Sequence, residues 1–409
     1  MFLQRSLKSF LKRARVPAKG TAPHQTLLST TIREESLDRY TAGGYHPVRI
    51  GDLFKDGAYK VINKLGYGQY STVWLAYDTR NNRHVAMKIL TADAFDTIHS
   101  SLELDILHKI SRYTKSLGSE HILHLLDEFS HEGPNGVHIC LVFKAMGPDL
   151  SRYRKLFPDV KIPVPIAKSI TKQVLLALAF LHETNHVIHC DIKPQNILVE
   201  TAEINEMFNN APSGVFAPDS IQESPDDFYV ESVQLTSGEE DITTSTSLNV
   251  RIADFGTSSW YDKHLTEWIQ PQLLRAPEVI LGAPWDWRVD IWNLGTLLWE
   301  LVEGKVLFDG TATPKLPYTA EAHLAQMTAI LGKMPEQMLN RGQYAFRYFD
   351  HDANLLVPSP FSHLTLESVS SYQASDKKAY LEFISSMTQL LPESRPSALA
   401  LLKSPWLCV

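Results

Sequence analysis

A chain of 409 residues exceeds one ordinary hydrophobic core and predicts two lobes or domains. Its composition, 44% hydrophobic and 21% charged, is that of an ordinary globular protein, and a net charge of −7 from 39 basic and 46 acidic side chains argues against direct nucleic-acid binding while leaving basic protein partners open. Three cysteines, Cys140, Cys190 and Cys408, have no metal-ligand spacing and suit a reducing compartment, and no apolar run approaches the ~18–20 residues that span a bilayer.

Residues 1–33 carry seven basic side chains and no acid. As a helix, residues 2–15 would place Leu3, Leu7, Phe10 and Leu11 on one face and Arg5, Lys8, Lys12, Arg13 and Arg15 on the other. That pattern suits a mitochondrial transit peptide or a helix lying on an anionic membrane, with a plain basic tail as the alternative. Residues 59–90 predict three strands: "YKVINKL" alternates, a glycine-containing turn follows, and "TVWLAYD" and "HVAMKIL" are β-rich runs broken by "TRNN". Residues 97–111 predict a helix, with Ile98, Leu102, Ile106 and Ile110 four apart, and "VHICLVFKAM" predicts another strand. Beyond it the pattern turns helical, first over 165–184 (Ile166, Ile170, Val174, Leu178, Leu181) and again around Trp292, Leu294, Leu297, Leu298 and Leu301. The expected division is a basic segment at 1–43, a small β-rich lobe at 44–146 and a larger helical lobe at 147–409. Residues 201–249 hold ten acidic residues and no Lys or Arg, which predicts an acidic, mostly disordered insert.

Several short motifs carry chemistry. "GYGQYSTV" (66–73) joins two strands, and its glycines, Gly66 and Gly68, would let backbone N–H groups approach a phosphate, although Ser71 stands where a third glycine is usual. Lys88, in "VAMK", can neutralise phosphates, and Glu103 on the following helix can fix its amine. "HCDIKPQN" (189–196) is more specific. Asp191 can accept the proton of a substrate hydroxyl, Lys193 can meet charge on a transferred phosphoryl group, and Asn196 offers an amide oxygen to Mg²⁺. His189 is read as a core residue. "DFG" supplies Asp254, a hard oxygen ligand for Mg²⁺. After "APE", Glu278 can form a buried strut with Arg395, and Asp290 can accept hydrogen bonds from the backbone of the 189–196 loop.

Glycine loop, Lys, Glu, "HCDIKPQN", DFG and APE follow one another in the order of the protein-kinase signature. Residues 45–407 therefore resemble the eukaryotic protein kinases, and Lys193, two residues after the expected base, is similar to serine/threonine kinases. The resemblance implies an α+β, bilobal protein-kinase fold with a β-rich N-lobe and a helical C-lobe. It also implies ATP and Mg²⁺ as cofactors. Leu65, Gly66, Gly68, Val73, Ala86, Lys88, Glu103, Lys144 and Met146 would bind the nucleotide, Asn196 and Asp254 the metal, and Asp191 and Lys193 would be catalytic.

"GYHPVRIGDLF" (44–54), "LGYGQYSTVWLAYD" and an insert between "NILVE" and "VRIADFG" resemble the SR-protein kinase family, in a short fungal-type form. That family phosphorylates serine in Arg/Ser-rich splicing factors, and the resemblance implies such basic substrates, a monomer, and a location in cytoplasm and nucleus. "AHLAQMTAILGKMP" (322–335) is shared in type with the wider group that includes LAMMER-type kinases, so a related kinase with another substrate is the alternative, and a pseudokinase scaffold is a further one. Many kinases place an arginine before the catalytic aspartate to grip a phosphorylated activation loop. Cys190 cannot do so, which implies activity without loop phosphorylation, with Trp260, Leu265 and Trp268 expected to hold the loop and Cys190 read as a buried, inert thiol. One departure is plain: where the family carries an acidic docking groove, "DGTATPKLPYTAEAH" offers only Asp309 and Glu321, opposed by Lys315.

Overall fold

Alternation along residues 59–90 becomes the backbone of a six-stranded antiparallel sheet. The computed structural model describes residues 34–94, 98–201, 204, 230–232, 235, 248–313, 315–357, 359, 361 and 364–408. The chain divides into two units between Glu34 and Glu35, and both lobes belong to the second, Glu35–Val409. The expected helix over 2–15 lies outside the described residues.

The sheet comprises β1 (Leu53–Phe54), β2 (Tyr59–Gly68), β3 (Ser71–Asp78), β4 (Arg83–Leu90), β5 (Leu125–Gly133) and β6 (Gly136–Lys144), in the order β1-β2-β3-β4-β6-β5. Trp74, Ala76, Val85, Met87, Ile89, Cys140 and Val142 form a buried cluster on one side with Phe54, Tyr59 and Val61. Alternate residues face the other way, where Leu141 and Phe143 meet helix α1 (Ile98–Arg112) through Leu102, Ile106 and Ile110. Residues 35–43, expected from sequence to belong to the basic segment, are fastened to this lobe: Gly43 N–H donates to Asn135 O at 2.8 Å, and Lys64 Nζ lies 2.6 Å from Glu35 Oε1 in a buried ion pair.

The helical lobe begins after residue 146 with α2 (Leu150–Tyr153) and α3 (Val164–Ala179), the latter continuing as a π-turn through Asn185. Then come short strands β7 (Val187–Ile188), β8 (Ile197–Val199), β9 (Val250–Ile252) and β10 (Ser259–Trp260). Helices α4 (Pro277–Leu281), α5 (Arg288–Glu303), α6 (Ala320–Leu331), α7 (Glu336–Arg341), α8 (Leu366–Val369) and α9 (Lys377–Met387) complete the larger elements. Fifteen of the sixteen residues of α5 are buried, so it is the lobe's central post. Gly295 lets α9 approach it closely, since a Cβ there would lie 2.8 Å from Met387 Cβ. Glu278 and Arg395 meet through two hydrogen bonds of 2.6 and 2.9 Å with both side chains fully buried.

One expectation needs correction, and two further features are plain only in the structure. The stretch Pro158–Asn185, which contains α3 and its π-turn, has mean hydropathy 1.5 and is long and apolar enough to cross a membrane by length and composition. It is instead mostly buried as a core element, with Ile166, Ile170, Val174 and Leu178 packed inside the lobe. Strand β5 carries no periodic signal because "LLDEFSHEG" contains no fully buried position; it is a polar edge strand. The expected acidic insert lies mainly outside the described residues; of those described, Ile204 and Leu235 are buried with Leu75 and Ala145, whereas Glu231 is exposed.

Candidate active site

The register of β3 and β4 places Val73 opposite Lys88 and Leu75 opposite Ala86, on one face of the sheet. Val73, Ala86 and Lys88 are half-buried although Leu75 beside them is fully buried, as expected of residues lining a cleft. Register shifts at Val61/Asn63 and Lys64/Gly66 interrupt the pairing of β2 with β3, the second of them at Leu65, just before the strand's last residues Gly66–Gly68. Lys88 Nζ lies 3.0 Å from Glu103 Oε1 and 2.9 Å from Asp254 Oδ1. Burial works against the lysine's charge, but Asp254 and Glu103 outweigh it and leave its pKa raised. Lys88 in turn holds the Asp254 carboxyl down to about 2. Asp254 has a positive φ of 66°, unusual for a residue with a Cβ, and a Cβ on Gly256 would come within 3.4 Å of Glu103 Oε2.

The 189–196 loop is hung from α5. Asp290, fully buried, accepts the backbone N–H of His189 at 2.8 Å and of Cys190 at 2.9 Å, and its Oδ2 bonds His182 Nε2 at 2.8 Å. Cys190 reaches this position with φ 66°. His189 is a core residue as expected, its ring edge-on to Phe255 and its Nε2 3.2 Å from Ala253 O. Beyond the loop's bend, Asp191 Oδ2 receives Lys193 Nζ at 2.7 Å and Asn196 Nδ2 at 2.8 Å; Asn196 Nδ2 also donates to Asp191 O at 2.9 Å. Because both partners of Nδ2 can only accept, the asparagine's amide orientation is fixed, which leaves Oδ1 as its free acceptor.

At the junction of the lobes, Gly147 N–H donates to Val199 O at 2.8 Å. A Cβ on Gly147 would lie 2.3 Å from Thr201 Cγ2, so only glycine permits this approach. Met146 is buried beside it, whereas the side chain of Lys144 turns outward to an ion pair with Glu200.

Residues 59–216 and 232–407 match the protein kinase domain family. The serine/threonine-protein kinase SRPK of Physarum polycephalum is 34% identical over 393 residues, covering 91% of each chain. Protein kinase dsk1 of Schizosaccharomyces pombe is 29% identical over 465 residues, covering 91% of this chain and 85% of its own. SRSF protein kinase 3 of Homo sapiens is 26% identical over 523 residues, covering 94% and 92% respectively. The chain is a protein serine/threonine kinase of the SR-protein kinase family. Protein kinases use ATP and a divalent metal, generally Mg²⁺.

Sequence reasoning missed two residues of this kinase. Gln270, in the segment between DFG and APE, donates through Nε2 to Val289 O and Asn293 Oδ1, each at 2.9 Å, and accepts Ala276 N–H at 2.8 Å. Asn293 completes the latch by donating to Leu274 O at 2.7 Å. Tyr45 reaches the glycine-rich turn, its hydroxyl 2.7 Å from Gly68 O. Tyr45 falls inside "GYHPVRIGDLF", but nothing in that stretch assigns it a role; Gln270, which the structure places at a positive φ of 69°, sits in no motif. Of the residues expected to hold the activation segment, Trp260 and Leu265 pack against the core, and Leu265 N–H donates to Ser259 Oγ at 3.0 Å. Trp268 does not pack there: it is 55% exposed and serves as a platform for the Arg275 guanidinium, 4.1 Å from its ring centre. Cys190 is fully buried, and burial pushes its thiol pKa well above the ordinary value.

Proposed function

We propose that the kinase transfers the γ-phosphoryl group of ATP to serine in Arg/Ser-rich proteins, and does so without phosphorylation of its activation segment. The observation that carries the second part is the Gln270 latch joined to the buried Cys190: the segment is tied to α5 by neutral hydrogen bonds, and the position before Asp191 has no cation to recruit a phosphate. The substrate class rests on the family resemblance and on relatives such as the human SRSF protein kinase.

In this reading Lys88, positioned by Glu103, binds the nucleotide's phosphates beneath the turn carrying Gly66 and Gly68. Leu65, Val73, Ala86 and Met146 enclose the base, and the backbone at Lys144–Met146 bonds its edge. The donor set fits Mg²⁺, because Asn196 Oδ1 and the Asp254 carboxylate are hard oxygens of the number this ion takes from protein when phosphates and water complete its shell. Bound there, magnesium neutralises charge on the phosphate oxygens. Asp191 orients the seryl hydroxyl and receives its proton as the oxygen bonds to phosphorus and the bond to the ADP oxygen breaks. Lys193 meets the charge on the transferring group. Positioning and fixed charge supply most of the rate.

The test is radiolabel transfer by purified protein, before and after phosphatase treatment, to Arg-Ser, Ser-Pro and acidic peptides. Preferred transfer to Arg-Ser, unaffected by phosphatase and abolished by Asp191→Asn in a folded protein, is the expected result. Preference for Ser-Pro or acidic peptides would assign a related kinase with another substrate. Location in cytoplasm and nucleus belongs to the same proposal and is tested by fusing residues 1–40 to a fluorescent protein, where mitochondrial import would overturn it.

A further inference from the structure

The tip of the glycine-rich turn is bonded to a segment that precedes the first strand. Gly43 has φ 85°, and a Cβ on Gly44 would lie 1.8 Å from Arg39 O, so the two glycines allow a tight loop that Tyr45 N–H closes by donating to Arg39 O at 2.9 Å. This loop is fastened on two sides. Asn135 Nδ2 donates to Tyr45 O at 2.6 Å, while Ala92 N–H and Asp93 N–H donate to Gly44 O and Gly43 O at 3.1 and 2.7 Å. From that fixed base the Tyr45 ring, 4% exposed, sends its hydroxyl to Gly68 O at 2.7 Å and Gln69 O at 3.2 Å. Arg39 Nη2 donates to Gln69 O at 3.2 Å, with its guanidinium over the Tyr45 ring. The next carbonyl, Tyr70 O, accepts Thr91 N–H at 2.9 Å.

Three successive carbonyls at the tip are thus held by one brace. In a trans peptide the C=O and the following N–H point in opposite directions. Fixing the carbonyls of Gly68 and Gln69 therefore turns the N–H groups of Gln69 and Tyr70 away from Tyr45, where they are oriented donors for an anion. We propose that Tyr45, assisted by Arg39, is a positioning residue for the nucleotide phosphates, holding the tip of the glycine-rich turn in its phosphate-binding shape before the nucleotide arrives. Thr91–Asp93 lie between Lys88 on β4 and Glu103 on α1, so the same brace ties the turn to the connector between those two residues. Preorganisation of this kind removes the ordering cost from binding.

The inference rests on the cleft being the nucleotide site, and the test separates the two. Mg-ATP and adenosine affinities, and KM values for ATP and peptide, are measured on the full chain and on Tyr45→Phe, which deletes only the hydroxyl. Expected is a loss of about threefold to tenfold in Mg-ATP affinity and a matching rise in the KM for ATP, the worth of one hydrogen bond. Adenosine affinity and the peptide KM should stay within about twofold, because neither depends on phosphate contacts. Arg39→Gln should give a smaller change of the same kind. Unchanged Mg-ATP affinity in Tyr45→Phe, or a parallel loss for adenosine, overturns the inference alone. Failure of the parent protein to bind Mg-ATP overturns the nucleotide-site reading and this inference with it.

Discussion

Asp290 Oδ1 accepts the backbone N–H of Cys190 at 2.9 Å from the first turn of α5, with both residues fully buried. The strained φ of Cys190 exists to make this bond, and with the His189 amide on Oδ2 the carboxylate sets the angle at which Asp191 leaves the core. Asp290→Asn places an NH₂ group against one of these backbone donors and so breaks a hydrogen bond inside the protein, at a cost of about 1–3 kcal/mol. The expected result is a fall in kcat of at least about tenfold from a misplaced Asp191, with Mg-ATP affinity within about threefold, since Lys88 and the glycine-rich turn are untouched. Steady-state kinetics beside nucleotide titration checks this.

Gln270 ties the segment between DFG and APE to α5 by neutral hydrogen bonds. Gln270→Ala leaves Ala276 N–H and Asn293 Oδ1 without this partner in a buried setting, again about 1–3 kcal/mol. The variant should lose most peptide kinase activity and gain protease sensitivity between Asp254 and Glu278. Limited proteolysis timed against activity distinguishes this from global unfolding.

Docking of long basic substrates should be weak. Asp309 Oδ1 is already engaged by Thr311 N–H and Oγ1, each at 2.9 Å, and by Gln326 Nε2 at 2.6 Å. Among the described residues of 309–323, Glu321 is the one other acid, and it is exposed alongside exposed Lys315. Extending an Arg-Ser peptide by further repeats should therefore lower its KM by less than about threefold, with a shallow salt dependence. A steep gain with peptide length would place a docking surface elsewhere on the molecule.

What can be read from the sequence, and what cannot, depends on how each residue makes its contacts. Lys88, Glu103, Asp191, Asn196 and Asp254 are legible because phosphoryl-transfer chemistry dictates their types and their order along the chain. Glu278, Arg395 and Asp290 are legible because buried charge demands a partner. Tyr45 and Gln270 act on backbone carbonyls and amides, which every residue possesses, so nothing in the sequence marks their partners. Trp268 is not legible as a surface residue, because an indole is as well satisfied by the guanidinium of Arg275 as by a core. The helical run ending at Asn185 shows that mean hydropathy reports burial, whether in lipid or in protein.

The fold should weaken under mild acid through its histidines. Burial, with help from His131 and His138, lowers the pKa of His46 to about 3; burial and Arg275 do the same to His323. Burial also lowers His121, His124, His131 and His138. A folded-state pKa below the unfolded value of about 6.5 means that the unfolded chain binds the proton first, so stability is lost as pH falls from about 6.5 toward 3. Each fully shifted histidine contributes up to about 1.4 kcal/mol per pH unit in that window. Asp254, held at about 2, remains a carboxylate throughout, so the loss is one of fold and not of cleft charge. Urea midpoints should therefore drop between pH 7.5 and 5.5, and His46→Gln should flatten the decline. An unchanged slope in that variant would show that His46 takes up its proton in the folded protein as readily as in the unfolded chain.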